Sequence, residues 1–150
     1  MSTKYTASQI ADATIAFCND HGDLITNLKL QKLLYYVQAW HLALHSKPLF
    51  SDKFEAWVHG PAIPSIYGKF KKFGFQPVQC DGAKTLDTHT QNHLAEVIKV
   101  YGGMTAYELE RLTHSKDPWI KARKGLPADA SSHNKISEVD MQHFYASKMK

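Results

Sequence analysis

The chain has little cysteine. Cys18 and Cys80 are its only two cysteines, and they form no Cys-x-x-Cys pair. Zinc sites built on cysteine need several thiols at close spacing, so that class of site is excluded, and a disulfide framework is disfavoured. We interpret both cysteines as ordinary small side chains that are buried or half-buried.

Long hydrophobic runs are also missing. No apolar stretch approaches the ~18 residues that a membrane-spanning helix needs, and the N-terminus lacks the apolar block of a signal peptide. We therefore expect a cytoplasmic protein with no membrane partner. Internal repeats and low-complexity segments are absent as well, which excludes repeat architectures.

The charge is only mildly unbalanced. Lys and Arg number 18 against 14 Asp and Glu, which gives a formal net charge of +4. Such an excess permits contact with nucleic acid or with an acidic protein but requires neither. With 150 residues, of which 43% are hydrophobic, the chain can bury a sizeable core. We predict one domain that spans residues 1–150.

Hydrophobic periodicity predicts a mainly α fold. Apolar residues recur at helical spacing along residues 27–45, and a second apolar stripe covers another side of the same segment. A helix that is apolar on two sides usually lies at the centre of a fold. We therefore predict a compact bundle of about six to seven helices around a buried second helix.

A small β element is predicted beside this bundle. Residues 53–59 alternate apolar and polar side chains as a strand does, Gly60-Pro61 ends the extended run, and Pro64 suits the first position of the next helix. Residues 75–80 have the character of a second short strand, in which Pro77 indicates an edge or a bulge. We predict that these two segments pair as antiparallel strands.

Three motifs resemble a known family. Trp57, Gly60-Pro61, Pro64 and Tyr67, in this order, resemble the core motif of the Panacea domain. Residues 28–36 resemble the long second helix of that family. Thr113-His114, followed by Pro118-Trp119, resembles its C-terminal signature. The resemblance covers residues 8–124, which is most of the chain.

The resemblance implies a function in binding. Panacea domains occur in antitoxins of bacterial and phage toxin–antitoxin pairs, in proteins described as phage-associated, and in SocA-like antitoxins that act as proteolytic adaptors. A member is therefore expected to neutralise a cognate toxin by direct protein–protein interaction, without catalysis and without a cofactor. In the adaptor variant, a protease is a further partner.

The resemblance also indicates which residues contact the partner. Trp57 points away from the apolar side of its strand, so it either anchors an interface or packs in a second layer. The motif residues likewise serve either the interface or only the fold, and the lysines that follow Tyr67 suit an acidic toxin surface. The candidate partner-binding residues are Trp57, Gly60, Pro61, Pro64, Tyr67, Lys69, Lys71, Lys72, His114, Pro118 and Trp119.

DNA binding is the alternative function. Residues 88–113 read as two capped helices joined by a short glycine-containing turn, and basic residues follow them. A regulator of its own operon would use such a segment on operator DNA. However, Glu108 and Glu110 lie on the candidate recognition helix, where carboxylates oppose phosphate binding.

Metal binding and catalysis are minority hypotheses. His41 and His45, like His89 and His93, are four residues apart, which places two imidazoles on one helix face. Each pair lacks the further ligands of a zinc site, so we predict no metal. Cys18 with His21 resembles a nucleophile and its base, but a helix C-terminus disfavours a thiolate, so we predict no catalytic residue.

Overall fold

The computed structural model describes residues 3–80 and 82–149, and it is mainly α-helical, as predicted. The helices are α1 (Ala7–Asp20), α2 (Asn27–His45), α3 (Pro64–Phe70), α4 (Thr88–Tyr101), α5 (Ala106–His114), α6 (Asp117–Ala122) and α7 (Glu138–Ala146). A 3₁₀ turn, Lys71–Phe73, follows α3, and the strands are β1 (Glu55–Trp57) and β2 (Gly60–Ala62). Within the described residues, no helix combines the length and the apolar content needed to cross a membrane.

Helix α2 is the centre of the fold. All residues from Leu30 to Ala39 are buried, so the helix is covered on every side over this stretch. Helices α1, α4, α5 and α7 and strand β2 pack around it. The prediction of a buried second helix is therefore confirmed.

Threonine side chains cap the N-termini of α1 and α5. Thr6 and Thr105 accept hydrogen bonds from the backbone amides three residues later, and the side chains of Gln9 and Glu108 bond back to them. These two capping boxes satisfy amides that a helix start leaves without partners. The caps fix where α1 and α5 start and thus how their apolar faces meet α2.

The small antiparallel sheet is present, but its second strand lies elsewhere than predicted. Strand β1 pairs with Gly60–Ala62, and Trp57 opposes Gly60 across a two-residue turn. Residues 75–80 form no strand; there the amide of Val78 donates one hydrogen bond to the carbonyl of Ile25. The turn closes directly because Gly60 adopts a φ of +110°, which a residue with a side chain rarely takes.

The outer edge of β1 is also covered. The amide of Ala56 donates to the carbonyl of Asn134 at 2.7 Å, and the amide of Ile136 donates to the carbonyl of Phe54 at 2.8 Å. The chain just before α7 therefore closes one edge of the sheet, while β2 packs on α2 and α5. Strand β1 is held on both sides, and its side chains have a fixed direction.

Candidate partner-binding site

Trp57 lies half-buried on the outside of the hairpin. Its ring meets the rings of Tyr67 and His133 edge to face, with centroids 5.1 and 5.9 Å apart. Its Nε1 donates a hydrogen bond of 2.8 Å to Oε1 of Glu55. We call Trp57, Tyr67 and His133 the aromatic face. Trp57 is thus neither free in solvent nor sealed in a second layer: it is a partly exposed ring held in one orientation.

The carboxylate of Glu55 also contacts His133, the third ring of the aromatic face. Oε1 of Glu55 lies 3.3 Å from Nδ1 of His133, whose side chain is 75% exposed. The backbone of Tyr67, in α3, is held from α2, because Nδ2 of Asn27 donates to the Tyr67 carbonyl at 3.1 Å. His133 belongs to no predicted motif, since it reaches Trp57 from a sequence-distant loop.

The C-terminal signature lies behind this face. The rings of His114 and Trp119 stack with centroids 4.0 Å apart, and Nε1 of Trp119 donates to the carbonyl of Trp57 at 2.9 Å. Trp119 and Pro118 are buried, and His114 is half-buried. Burial also lowers the pKa of His114, so its ring favours the neutral form. These residues support the strand that bears Trp57 and offer little surface to a partner.

Arg123 also supports β1, the strand that bears Trp57. Its guanidinium lies 4.5 Å from the centre of the Trp119 ring and is 1% exposed. Nη1 donates to the carbonyl of Ala56 at 2.9 Å, while Nη2 donates to the carbonyls of Pro127 and Ala130. In the sequence, this arginine stands in a basic segment typical of a surface. Its spacing from Trp119, one helical turn, was the available signal that the two could stack.

Gly60 and Pro61 are buried and therefore serve the fold. A Cβ atom on Gly60 would lie 3.1 Å from Oγ1 of Thr113 and 3.2 Å from Cε of Lys32. The close approach of β2 to α2 and α5 thus requires glycine here. Pro64, by contrast, is exposed at the start of α3, where its fixed φ favours the helix.

Lys32 is an unpredicted buried charge below the hairpin. It is 2% exposed, and its Nζ donates to the carbonyl of Leu28 at 3.2 Å. Burial lowers the pKa of Lys32 to about 8, and the nearby carboxylate of Glu110 only partly opposes this. The apolar stripe of α2 gave no signal of it, because lysine is ordinarily a surface residue.

The three predicted lysines differ in their surroundings. Nζ of Lys69 lies 3.0 Å from Oδ1 of Asp12 and 2.6 Å from Oγ of Ser8, so Lys69 ties α3 to α1. Lys71 and Lys72 lie exposed in the 3₁₀ turn. Of the three, these two present their charge to the solvent.

Cys18, the candidate nucleophile, is buried. Cys18 is 1% exposed, and burial raises the pKa of its thiol to about 11. His21 stacks on Phe17, and its Nδ1 lies 2.8 Å from the Phe17 carbonyl. A thiol that is both buried and protonated at neutral pH is a poor nucleophile.

The two histidine pairs meet between α2 and α4. The ring centroid of His41 lies 4.7 Å from that of His45 and 5.5 Å from that of His93, and the centroids of His45 and His89 are 5.1 Å apart. Even so, among residues 3–80 and 82–149 no three side chains of ligand type are placed to hold a metal ion.

This histidine cluster predicts a loss of stability in acid. Burial lowers the pKa of His41 to about 4, from an ordinary 6.5, and it also lowers the pKa of His93. Between pH 6.5 and 4 the unfolded chain therefore binds more protons than the folded one, so stability falls as the pH falls. For His41 we expect about 2 kcal/mol after allowing for solvent screening.

Urea unfolding measured from about pH 7.5 to about pH 4 tests this expectation. The variant His41→Gln removes the titrating group and should lose less stability over that range than the wild type. Equal slopes of stability against pH in the two proteins would contradict the assignment to His41.

The helix pair of the DNA-binding hypothesis is present as α4 and α5. Both helices pack chiefly on α2. On α5, Glu108 is exposed beside Arg111, and Oε1 of Glu110 lies 3.2 Å from Nδ1 of His59. The exposed side of α5 thus carries the Glu108 carboxylate, which would repel phosphates, so this segment is disfavoured as a DNA-reading surface.

Comparison with known proteins agrees with the motifs. The family model described as "Antitoxin SocA-like, Panacea domain" matches residues 30–120. Antitoxin SocA of Caulobacter vibrioides (strain NA1000 / CB15N) is 31% identical over 109 residues, which cover 63% of this chain and 58% of that relative. The match thus spans little more than half of the relative's length. No solved structure matches the chain.

The matched residues include the buried stretch of α2, the hairpin, the aromatic side chains of Trp57 and Tyr67, and the stack of His114 on Trp119. Fold, motif order and family model therefore agree, and the chain belongs to the SocA-like antitoxin family with a Panacea domain.

Proposed function

We propose that this chain is an antitoxin that neutralises a cognate toxin by forming a direct complex through the aromatic face. The observation that supports this role is Trp57, a half-exposed ring fixed by Tyr67 and Glu55 on a strand covered at both edges. Because the ring is already ordered, binding costs little side-chain entropy, as is typical of interface anchors.

Neutralisation by occlusion requires a specific interface. A stable complex covers about 800 Å² on each partner, so the aromatic face would form the centre of a larger contact. In the adaptor variant of this role, the bound toxin is passed to a protease. The two variants differ in one respect: rescue by occlusion persists in a host that lacks the protease, whereas rescue by delivery does not.

Growth rescue tests the proposal. Co-expression of the chain with the toxin, taken as the product of the neighbouring gene, should restore growth, and Trp57→Ala should abolish or strongly reduce this rescue. Loss of a central aromatic anchor weakens a complex by about 2 kcal/mol or more, which is about thirtyfold in affinity.

Tyr107→Ala is the matched control, since Tyr107 is a 65% exposed aromatic on α5 outside the aromatic face. It should rescue growth as the wild type does. If Trp57→Ala is folded by circular dichroism and rescues fully, the aromatic face is not the toxin-binding surface.

A further inference from the structure

Phe75 is the most exposed large apolar side chain of the described residues. It is 90% exposed, immediately after Gly74, which turns the chain with a φ of +56°. By contrast, the neighbouring Phe73 packs partly against the core. An exposed phenylalanine leaves a large apolar surface in contact with water, and a partner that covers the ring gains the favourable free energy of burying that surface.

Two lysines precede Phe75 by four and three residues. Lys71 and Lys72 are exposed, and within residues 3–80 and 82–149 neither forms an ion pair. Lys72 Nζ lies 5.4 Å from the centre of the Phe73 ring, and the side chain remains exposed. The loop therefore presents an apolar ring together with two positive charges. We call Lys71, Lys72 and Phe75 the basic loop.

The basic loop lies close to the aromatic face along the chain. Lys71 follows Tyr67 by four residues, so the two lie about 6 Å apart along one side of the helical segment. Phe75 follows Lys71 by four residues more, a distance that the chain spans in at most about 14 Å. An interface of about 800 Å² per partner is roughly 30 Å across, so it can include both Trp57 and Phe75.

We infer that the basic loop is a second anchor for the toxin, and that the toxin offers an apolar pocket rimmed by carboxylates. This inference rests on the proposed antitoxin function. Phe75 enters the pocket, and the two lysines face the acidic rim. Lys69 is excluded from this role because Asp12 already neutralises it. The lysines speed the encounter, while the ring slows dissociation.

Association and dissociation rates separate these contributions. The purified chain and the purified neighbouring-gene product should associate more slowly as salt rises, because screening weakens attraction between opposite charges. The double variant Lys71→Glu/Lys72→Glu should lower the association rate by about tenfold. Phe75→Ser should raise the dissociation rate by about tenfold.

Lys99→Glu and Val100→Ser are the matched controls. They make the same kinds of change at exposed positions of α4, and both rates should stay within about twofold of the wild type. If both basic-loop variants bind as the wild type while Trp57→Ala does not, the inference fails and the antitoxin proposal stands. An association rate that does not change with salt would contradict the carboxylate rim inferred for the toxin. Failure of the wild type to bind would overturn both proposals.

Discussion

Replacement of Arg123 by lysine is expected to lower the free energy of unfolding by about 3–5 kcal/mol, because backbone carbonyls lose their donors. Arg123 is buried, and its two terminal nitrogens donate to carbonyls from three separate positions, Ala56, Pro127 and Ala130. Lysine carries its charge on a single nitrogen and cannot reproduce the planar fork. Each carbonyl that loses its donor in the interior costs about 1–3 kcal/mol, and the stacking on Trp119 is lost as well.

Urea unfolding followed by circular dichroism measures this change. Arg111→Lys is the matched control, because Arg111 is exposed on α5 and the same substitution there should change stability by about 0.5 kcal/mol or less. The effect should also reach the surface, since Arg123 holds the strand that bears Trp57. An Arg123→Lys protein as stable as Arg111→Lys would show that the buried guanidinium is dispensable.

Gly60→Ala is expected to destabilise the fold by about 2–4 kcal/mol. Two causes add: the φ of +110° is strained for alanine, and the new methyl group would press on Thr113 and Lys32. Neither neighbour can yield easily, because Thr113 is 0% and Lys32 2% exposed. Thermal unfolding of the variant, compared with the wild type, gives the size of the effect.

Two other glycines separate those causes. Gly22 also has a positive φ, of +77°, but a methyl group there would meet no atom within 4 Å, so Gly22→Ala reports backbone strain alone. Gly68 lies in α3 with open space around it, so Gly68→Ala should be neutral or stabilising by up to about 1 kcal/mol. If Gly60→Ala costs no more than Gly22→Ala, the contact with Lys32 and Thr113 does not constrain the hairpin.

The helices were predictable because their signals are local. The apolar stripes of α2 repeat every three to four residues, and each capping box, at Thr6 and at Thr105, spans only four residues, so the sequence alone identifies them. The family was predictable for a similar reason, because its motifs are short runs of residues in a fixed order, and the family model confirms it.

The second strand lies elsewhere than predicted because a proline in a strand does not always prevent pairing. In a hairpin with a two-residue turn, the Trp57–Gly60 pair exchanges the hydrogen bonds, and the next pair, Ala56–Pro61, does not. The nitrogen of Pro61 therefore faces away from β1, where a missing donor costs nothing. Proline still cannot donate a hydrogen bond to a neighbouring strand, but the register of the hairpin must be known to see that position 61 needs no donor.

The support behind Trp57 was not predictable, because sequence-distant segments form it. Arg123, at the end of α6, reaches Ala56, and Glu55 holds His133 in the segment that covers the outer edge of β1. A basic residue in a polar segment gives no sign of burial until the carbonyls that satisfy it are placed around it. Four predicted motif residues lie in the interior, whereas Trp57 and Tyr67 remain partly exposed; the four are Gly60, Pro61, Pro118 and Trp119.

Isothermal titration of the purified chain with the purified product of its neighbouring gene determines whether the aromatic face binds that protein. We expect a saturable, stoichiometric complex for the wild type and about thirtyfold weaker binding for Trp57→Ala, with Tyr107→Ala unchanged. A wild-type chain that gives no binding heat with that protein at several temperatures, or a folded Trp57→Ala variant that binds as tightly as the wild type, would contradict this expectation.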